Sequence, residues 1–120
     1  VLGCGGDRDA AKRPLMAAAA AQYAQHVVLT SDNPRSEDPQ LILNQMLAGL
    51  TEANHATVMV DRAQAIAHAV HHAHAQDVVL VAGKGHEDYQ DIAGVKYPFS
   101  DVQHARDALL HRAAKGSAHV

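Results

Sequence analysis

The chain is expected to form an α/β domain whose mostly parallel sheet carries helices on both faces. Three observations predict this. Short β-branched apolar runs alternate with helix-like stretches along the chain. The runs are nearly continuous in apolar residues, as in strands buried on both faces. The three loops richest in polar residues, Gly5–Arg13, Ser31–Asp38 and Ala82–Asp88, each follow such a run. In open parallel sheets those loops sit together at the C-terminal strand ends, where ligands bind.

The elements follow in order. Val1–Cys4 is a first strand leading into the turn Gly5-Gly6. Lys12 to Gln25 reads as a helix, rich in alanine and with Pro14 in its first turn. His26–Thr30 is a short buried strand. Pro39 opens a second helix through Leu47, stopped by Gly49. Thr57–Val60 is a third strand, and Asp61 caps a helix from Arg62 to about Ala75. Asp77–Val81 is expected as a fourth strand. Tyr89–Ile92 and Val95–Phe99 flank Ala93-Gly94 as a hairpin or edge addition. Ser100 or Asp101 caps a last helix to about Ala113, leaving residues 1–114 as the domain and 115–120 as a flexible tail.

Bulk properties exclude several classes. At 120 residues the chain is one domain, long enough for a real core. A net charge of −3 with dispersed basic residues argues against a nucleic-acid surface. Protonating the ten histidines would carry the formal charge from −3 to +7, so association should change between about pH 7 and 5. The lone Cys4 allows no internal disulfide and suits a reducing compartment; it reads as a buried strand residue with no catalytic partner beside it. The longest apolar stretch, Leu15–Ala21, is too short to cross a membrane, and no signal peptide is recognised. Val1-Leu2 reads as the tail of a strand begun upstream, so a fragment of a longer protein is expected.

Asp32-Asn33-Pro34-Arg35 concentrates the chemistry. Pro34 fixes one backbone angle and biases Asn33 toward an extended conformation. Such a loop can grip a small zwitterion, with Arg35 forking onto a carboxylate while Asp32 and Asn33 take an ammonium group. A plain turn before a helix cap uses the same residue types. Gly3-Cys4-Gly5-Gly6-Asp7-Arg8-Asp9 is like a phosphate-cradling turn, but Arg8 stands where the dinucleotide fingerprint needs its last glycine. Lys12 and Arg13 lie at a helix start, against the helix dipole, where cations serve an anion or are simply solvated. Gly83-Lys84-Gly85-His86-Glu87 lacks the spacing of a P-loop. Its glycines suit close backbone approach to a ligand, Glu87 offers a carboxylate for an ammonium group, and His86 is a loop hydrogen-bond partner. His68 and His72 share a helix face, but nothing nearby completes a metal site, so no metal is assigned.

Taken together and in this order, Gly3–Asp9 with Lys12-Arg13-Pro14, Asp32–Arg35, and Ala82–Gln90 resemble the C-terminal domain of the Mur ligases. Within that family the resemblance is to the branch that adds meso-diaminopimelate to UDP-N-acetylmuramoyl-L-alanyl-D-glutamate. It covers nearly the whole chain. It implies a Rossmann-like domain that closes over a central ATPase domain in a cytoplasmic bacterial enzyme of peptidoglycan synthesis. There ATP, with Mg2+, phosphorylates the γ-carboxylate of the D-glutamate, the diaminopimelate amine attacks the acyl phosphate, and phosphate leaves. By the same carry-over Asp32, Asn33, Pro34 and Arg35 recognise meso-diaminopimelate, Arg8 helps bind its far carboxylate, and Gly83 and Glu87 hold its distal amino end. Lys12 and Arg13 would lie near the phosphates. The P-loop, the magnesium ligands, the carbamylated lysine and the UDP-substrate site belong to upstream domains, so no catalytic residue is expected here and the fragment alone is expected to be inactive. The rivals are a sister ligase adding L-lysine or another amino acid, and a non-catalytic amino-acid-binding module.

Overall fold

The structure is a computed structural model that describes residues 1–51, 56–84 and 86–118. Its sheet has three parallel strands in the order β1 (Leu2–Cys4), β2 (Val27–Ser31), β3 (Ala56–Val58). Leu2 pairs with Leu29 and Val27 with Ala56. Parallel neighbours need crossovers, supplied by α1 (Lys12–Tyr23) and α2 (Pro39–Leu47). Both crossovers step the same way across the sheet, and right-handed connections then put both helices on one face. There α1 and α2 pack on each other and on β1 and β2. The expected α/β class with a parallel sheet is the observed one.

Burial follows from the side-chain periods. Along β2, Val27 and Leu29 point to the α1–α2 face and join Cys4, Ala17, Ile42, Leu43 and Met46 in the core. Ile42, Leu43 and Met46 fall on one side of α2 at helical spacing. Helix α1 is stacked with alanines and buries only Ala17 and Arg13, and small side chains let its axis lie close to the sheet. Asp38 caps α2, its carboxylate accepting the Gln40 N–H, with Pro39 at the first helical position. On the opposite side, α3 (Arg62–His72) buries Ala65, Ile66 and Val70 and packs on β2 and on α4 (Asp101–Ala118). Asp61 caps α3 as expected. Ser100 caps α4, its Oγ accepting the Gln103 N–H. The helices thus flank both faces of the sheet. No described helix is long and apolar enough to cross a membrane.

Most element ends fall within two residues of expectation, and three differences are larger. Helix α3 ends at His72, three residues early, with Arg112 donating to the Val70 and Ala73 carbonyls at its end. Helix α4 runs to Ala118 rather than Ala113, and only residues 119–120 of the expected tail lie outside the described residues. The fourth strand, Asp77–Val81, does not form. Its end touches β1 through one parallel bridge, Leu2↔Ala82, and the Ala82 N–H donates to the Val1 carbonyl at 2.9 Å. The Val1 amino group donates to the Leu80 carbonyl at 2.8 Å, yet no ladder extends back along the run and Val78 is 93 % exposed. The segment nevertheless sits on the far side of β1 from β2. The chain therefore reverses its direction of travel at β1, which makes the C-terminal end of β1 a topological switch point.

The expected hairpin is present. β4 (Tyr89–Ile92) and β5 (Val95–Pro98) pair antiparallel, with Tyr89 opposite Pro98 and Ile92 opposite Val95. Ala93 and Gly94 both have positive φ (54° and 85°), as a two-residue turn matching the strand twist requires.

Candidate functional site

Three loops meet at the C-terminal edge of the sheet: the glycine turn after β1, the Asp32–Arg35 loop after β2, and the loop from Ala82 to Tyr89. The first two are in backbone contact. The Gly6 N–H donates to the Asn33 carbonyl at 2.7 Å, and a Cβ on Gly6 would lie 1.8 Å from the Pro34 carbonyl oxygen, so only glycine fits. Gly83 adopts φ +120°, and a Cβ there would meet the Gly3 carbonyl at 2.9 Å, which brings the third loop against the first.

The Asp32–Arg35 loop is almost wholly interior. Asp32 is 7 % exposed, Asn33 1 %, and Pro34 is fully buried. The hairpin holds it from outside. The Arg35 N–H donates to the Asp91 carbonyl at 2.9 Å, the Ala93 N–H donates to the Arg35 carbonyl at 2.8 Å, and Gln90 Nε2 donates to the Asp32 carbonyl at 2.8 Å. Arg35 itself has φ 52°, a left-handed conformation uncommon for a non-glycine residue, over-determined by these bonds on both of its sides.

The charged groups fall into two corners. Arg35 Nη1 donates to the Gly6 carbonyl at 2.8 Å. A Cβ on Gly5 would lie 2.9 Å from Arg35 Nη1 and 3.6 Å from Arg8 Cγ, so both arginine side chains flank one point of the glycine turn. Arg8 is exposed and Arg35 half-buried, which leaves cationic surface open to an anion. In the other corner Glu87 is half-buried. Its Oε1 accepts from Asn33 Nδ2 at 3.0 Å and its Oε2 from the Tyr89 hydroxyl at 3.1 Å. That carboxylate stabilises the protonated phenol and pushes the Tyr89 hydroxyl pKa upward. The site pairs a cationic corner with an anionic one across Asn33. That is the polarity of an amino acid's own carboxylate and ammonium.

Several sequence candidates take internal partners. Asp32 lies with Oδ1 2.9 Å from Lys84 Nζ, an ion pair off the direction of a hydrogen bond, and that buried oxygen has no hydrogen-bond donor among the described residues. Asn33 Oδ1 accepts from Lys84 Nζ and from the Asp91 N–H, both at 3.0 Å. The ammonium group beside Asp32 and Asn33 is thus the chain's own. Lys12 is exposed at the first residue of α1. Arg13 is 2 % exposed, and its Nη atoms donate to Glu37, Gln45 and the Gly5 carbonyl. Arg13 is a buttress that ties the glycine turn to the loop before α2, with both Nη atoms committed. Its guanidinium holds the Glu37 carboxyl down to about 2, assisted by the Asp7 N–H. His86 is exposed and Gly85 lies outside the described residues.

Four contributors were not among the sequence candidates: Lys84, Glu37, Tyr89 and Arg62. Lys84 is 3 % exposed and sends Nζ to Asn33 and to the Tyr89 carbonyl. Arg62, 1 % exposed, donates to the Ser31 and Ala82 carbonyls, each 3.2 Å away, the residues just before Asp32 and Gly83. It also makes a two-point pair with Asp101, Nε to Oδ1 at 2.7 Å and Nη2 to Oδ2 at 2.8 Å. The only sequence hint for Lys84 was its place between two glycines directly after an apolar run. Nothing local marks Arg62.

Residues 1–85 match the model of the Mur ligase glutamate ligase domain. Over 112 residues the chain is 62% identical to a UDP-N-acetylmuramoyl-L-alanyl-D-glutamate–2,6-diaminopimelate ligase of Ralstonia nicotianae, covering 93% of the chain and 22% of the relative. A ligase of the same name from Oceanobacillus iheyensis is 57% identical over 114 residues, covering 93% and 23%. A solved structure of a ligase of that name superposes with a TM-score of 0.88 at 48% identity, covering 93% of this chain and 23% of that one. The chain spans about a fifth of the length of the curated relatives it matches (22% in the first). On fold, motif order and these similarities together, the chain belongs to the Mur ligase family.

Proposed function

We propose that the chain is the C-terminal, amino-acid-binding domain of an ATP-dependent ligase that joins meso-diaminopimelate to UDP-N-acetylmuramoyl-L-alanyl-D-glutamate. The observation that carries this reading is the two-corner site, with Arg8 and Arg35 around Gly5 on one side and Glu87 anchored by Asn33 and Tyr89 on the other. Diaminopimelate has two zwitterionic centres. One amine must be free to attack, so the enzyme holds the molecule by the other. At that distal centre the arginines take the carboxylate as charge-assisted bonds, Glu87 takes the ammonium, and the Gly83 backbone, free of any side chain, lines the approach. L-Lysine has the distal amine but no distal carboxylate. Binding it would leave Arg35 without its partner, costing about 1.5–3 kcal/mol, or roughly 10–150-fold in selectivity.

The described residues contain no group of three or more His, Cys, Asp or Glu side chains arranged to hold a metal. ATP, Mg2+ and the UDP-linked dipeptide are assigned to the remainder of the longer protein. This domain's task is then to bind and orient: it fixes the distal end so that the proximal amine faces the activated carboxyl, an effect of proximity rather than of acid–base chemistry.

The test is amide-bond formation by the full-length protein with ATP, Mg2+ and UDP-N-acetylmuramoyl-L-alanyl-D-glutamate, offered meso-diaminopimelate or L-lysine. Product with meso-diaminopimelate and ADP release in step with it are expected. Preference for lysine, or no product with either, would reject the reading.

A further inference from the structure

Resting on that reading of the site, we infer that Lys84 is a positioning residue that sets the orientation of Glu87 toward the substrate's distal ammonium, acting through the Asn33 amide. The chain of contacts is continuous. Lys84 Nζ donates to Asn33 Oδ1 at 3.0 Å, and Asn33 Nδ2 donates to Glu87 Oε1 at 3.0 Å. An amide has one acceptor end and one donor end, and turning it over exchanges them. Here the acceptor end faces two donors, the Lys84 ammonium and the Asp91 N–H, so a turned amide would set N–H against N–H. The donor end can only point at Glu87. Lys84 is itself immobilised, with a fully buried side chain, Asp32 as counter-ion at 2.9 Å and the Tyr89 carbonyl as a further acceptor. Tyr89 closes the circle, because its hydroxyl donates to the second Glu87 oxygen. A lysine buried this completely is uncommon unless paired, and this one holds both ends of the loop pair that carries Glu87.

The experiment uses the full-length protein and the variant Lys84→Met. The KM for meso-diaminopimelate should rise about 10- to 100-fold, since loss of one charged hydrogen-bond partner releases the anchor. The KM for ATP should stay within about twofold and kcat should change less than that KM. In a Glu87→Gln background the same substitution should add less than about threefold, because Lys84 acts through Glu87. Lys84→Met strands the Asp32 carboxylate, so Lys84→Met/Asp32→Asn is read against Asp32→Asn alone should the single variant fail to fold. An equal rise in the KM for ATP, or a full effect persisting beside Glu87→Gln, would overturn the inference. Wild-type enzyme with meso-diaminopimelate separates this from the substrate reading. If that control forms no product, the substrate reading falls, and a crystal structure of the Lys84→Met/Asp32→Asn protein decides the inference. Asn33 Nδ2 leaving Glu87 would support it, and an unmoved Asn33–Glu87 bond would end it.

Discussion

Replacing Arg62 by methionine should cost the chain about 3–5 kcal/mol of folding stability, the usual loss when one member of a buried ion pair is removed. Arg62 is 1 % exposed at the first residue of α3, an unfavourable end of a helix for a cation. It stays there because four of its five N–H donors are used elsewhere: two on Asp101, one on the Ser31 carbonyl and one on the Ala82 carbonyl. Methionine fills most of the volume, so the loss comes from a carboxylate and two carbonyls left without donors rather than from a cavity. Asp101 is 16 % exposed at the start of α4, where the helix dipole and some solvent reach it, which argues for the lower half of the range. With a urea dependence of about 2 kcal/mol/M, the midpoint should fall by about 1.5–2 M. Asp101→Asn should cost less, because it leaves Arg62 with neutral acceptors, and the two substitutions should be strongly non-additive. A midpoint shift below about 0.5 M for Arg62→Met would refute the reasoning, since it would mean that the pair is solvated and contributes as little as a surface bridge.

Other consequences follow from the loop contacts. The Glu37 carboxyl is lowered from 4.5 to about 2 by Arg13, so its share of stability is fully present above about pH 4.5 and is lost as the pH falls through about 2. Acid unfolding of Glu37→Gln should therefore be flatter than wild type in that window, and identical curves would contradict the assignment. Gly6→Ala places a methyl 1.8 Å from the Pro34 carbonyl oxygen, in a contact between two backbones that must separate. It should cost about 1–3 kcal/mol in urea unfolding, and in the full-length protein raise the KM for diaminopimelate by displacing the Asp32–Arg35 loop. Gly94→Ala, by contrast, meets nothing within 4 Å and carries only the strain of a positive φ, so the KM should not move.

The parts of this fold legible in the sequence are those set by local chemistry. Short apolar runs located β1 and β2, and Pro39 with Gly49 bounded α2. Pro39 and Asp61 marked two helix starts, Pro39 because its fixed φ suits a first helical turn and Asp61 because capping needs only a side-chain oxygen and the next turn. Ala93-Gly94 marked the hairpin. The 77–81 run has the composition of a strand, but pairing is a long-range property that composition does not report, and only Ala82 just beyond it bridges to β1. Of the candidate site, the sequence pointed to the exposed or half-buried Arg8, Arg35 and Glu87. Arg13 read as a helix-start cation serving an anion or solvated, Arg62 was not singled out, and Lys84 read as part of a glycine loop. Their burial depends largely on acceptors remote in sequence, such as Ala82 for Arg62, 20 residues away, and Asn33 for Lys84, 51 residues away. Asp32 shows the same limit, since its residue type suits a substrate ammonium while the fold supplies an internal one.

The most direct test of the central claim, that this domain selects its amino acid by the distal zwitterion, is the ratio of kcat/KM for meso-diaminopimelate over L-lysine in the full-length protein, with and without Arg35→Ala. The account predicts a wild-type ratio well above one that collapses by about 10- to 150-fold in the variant, chiefly through loss of the diaminopimelate reaction. A ratio unmoved by Arg35→Ala, with both substrates weakened alike, would contradict it and reduce Arg35 to a residue that merely holds the hairpin in place.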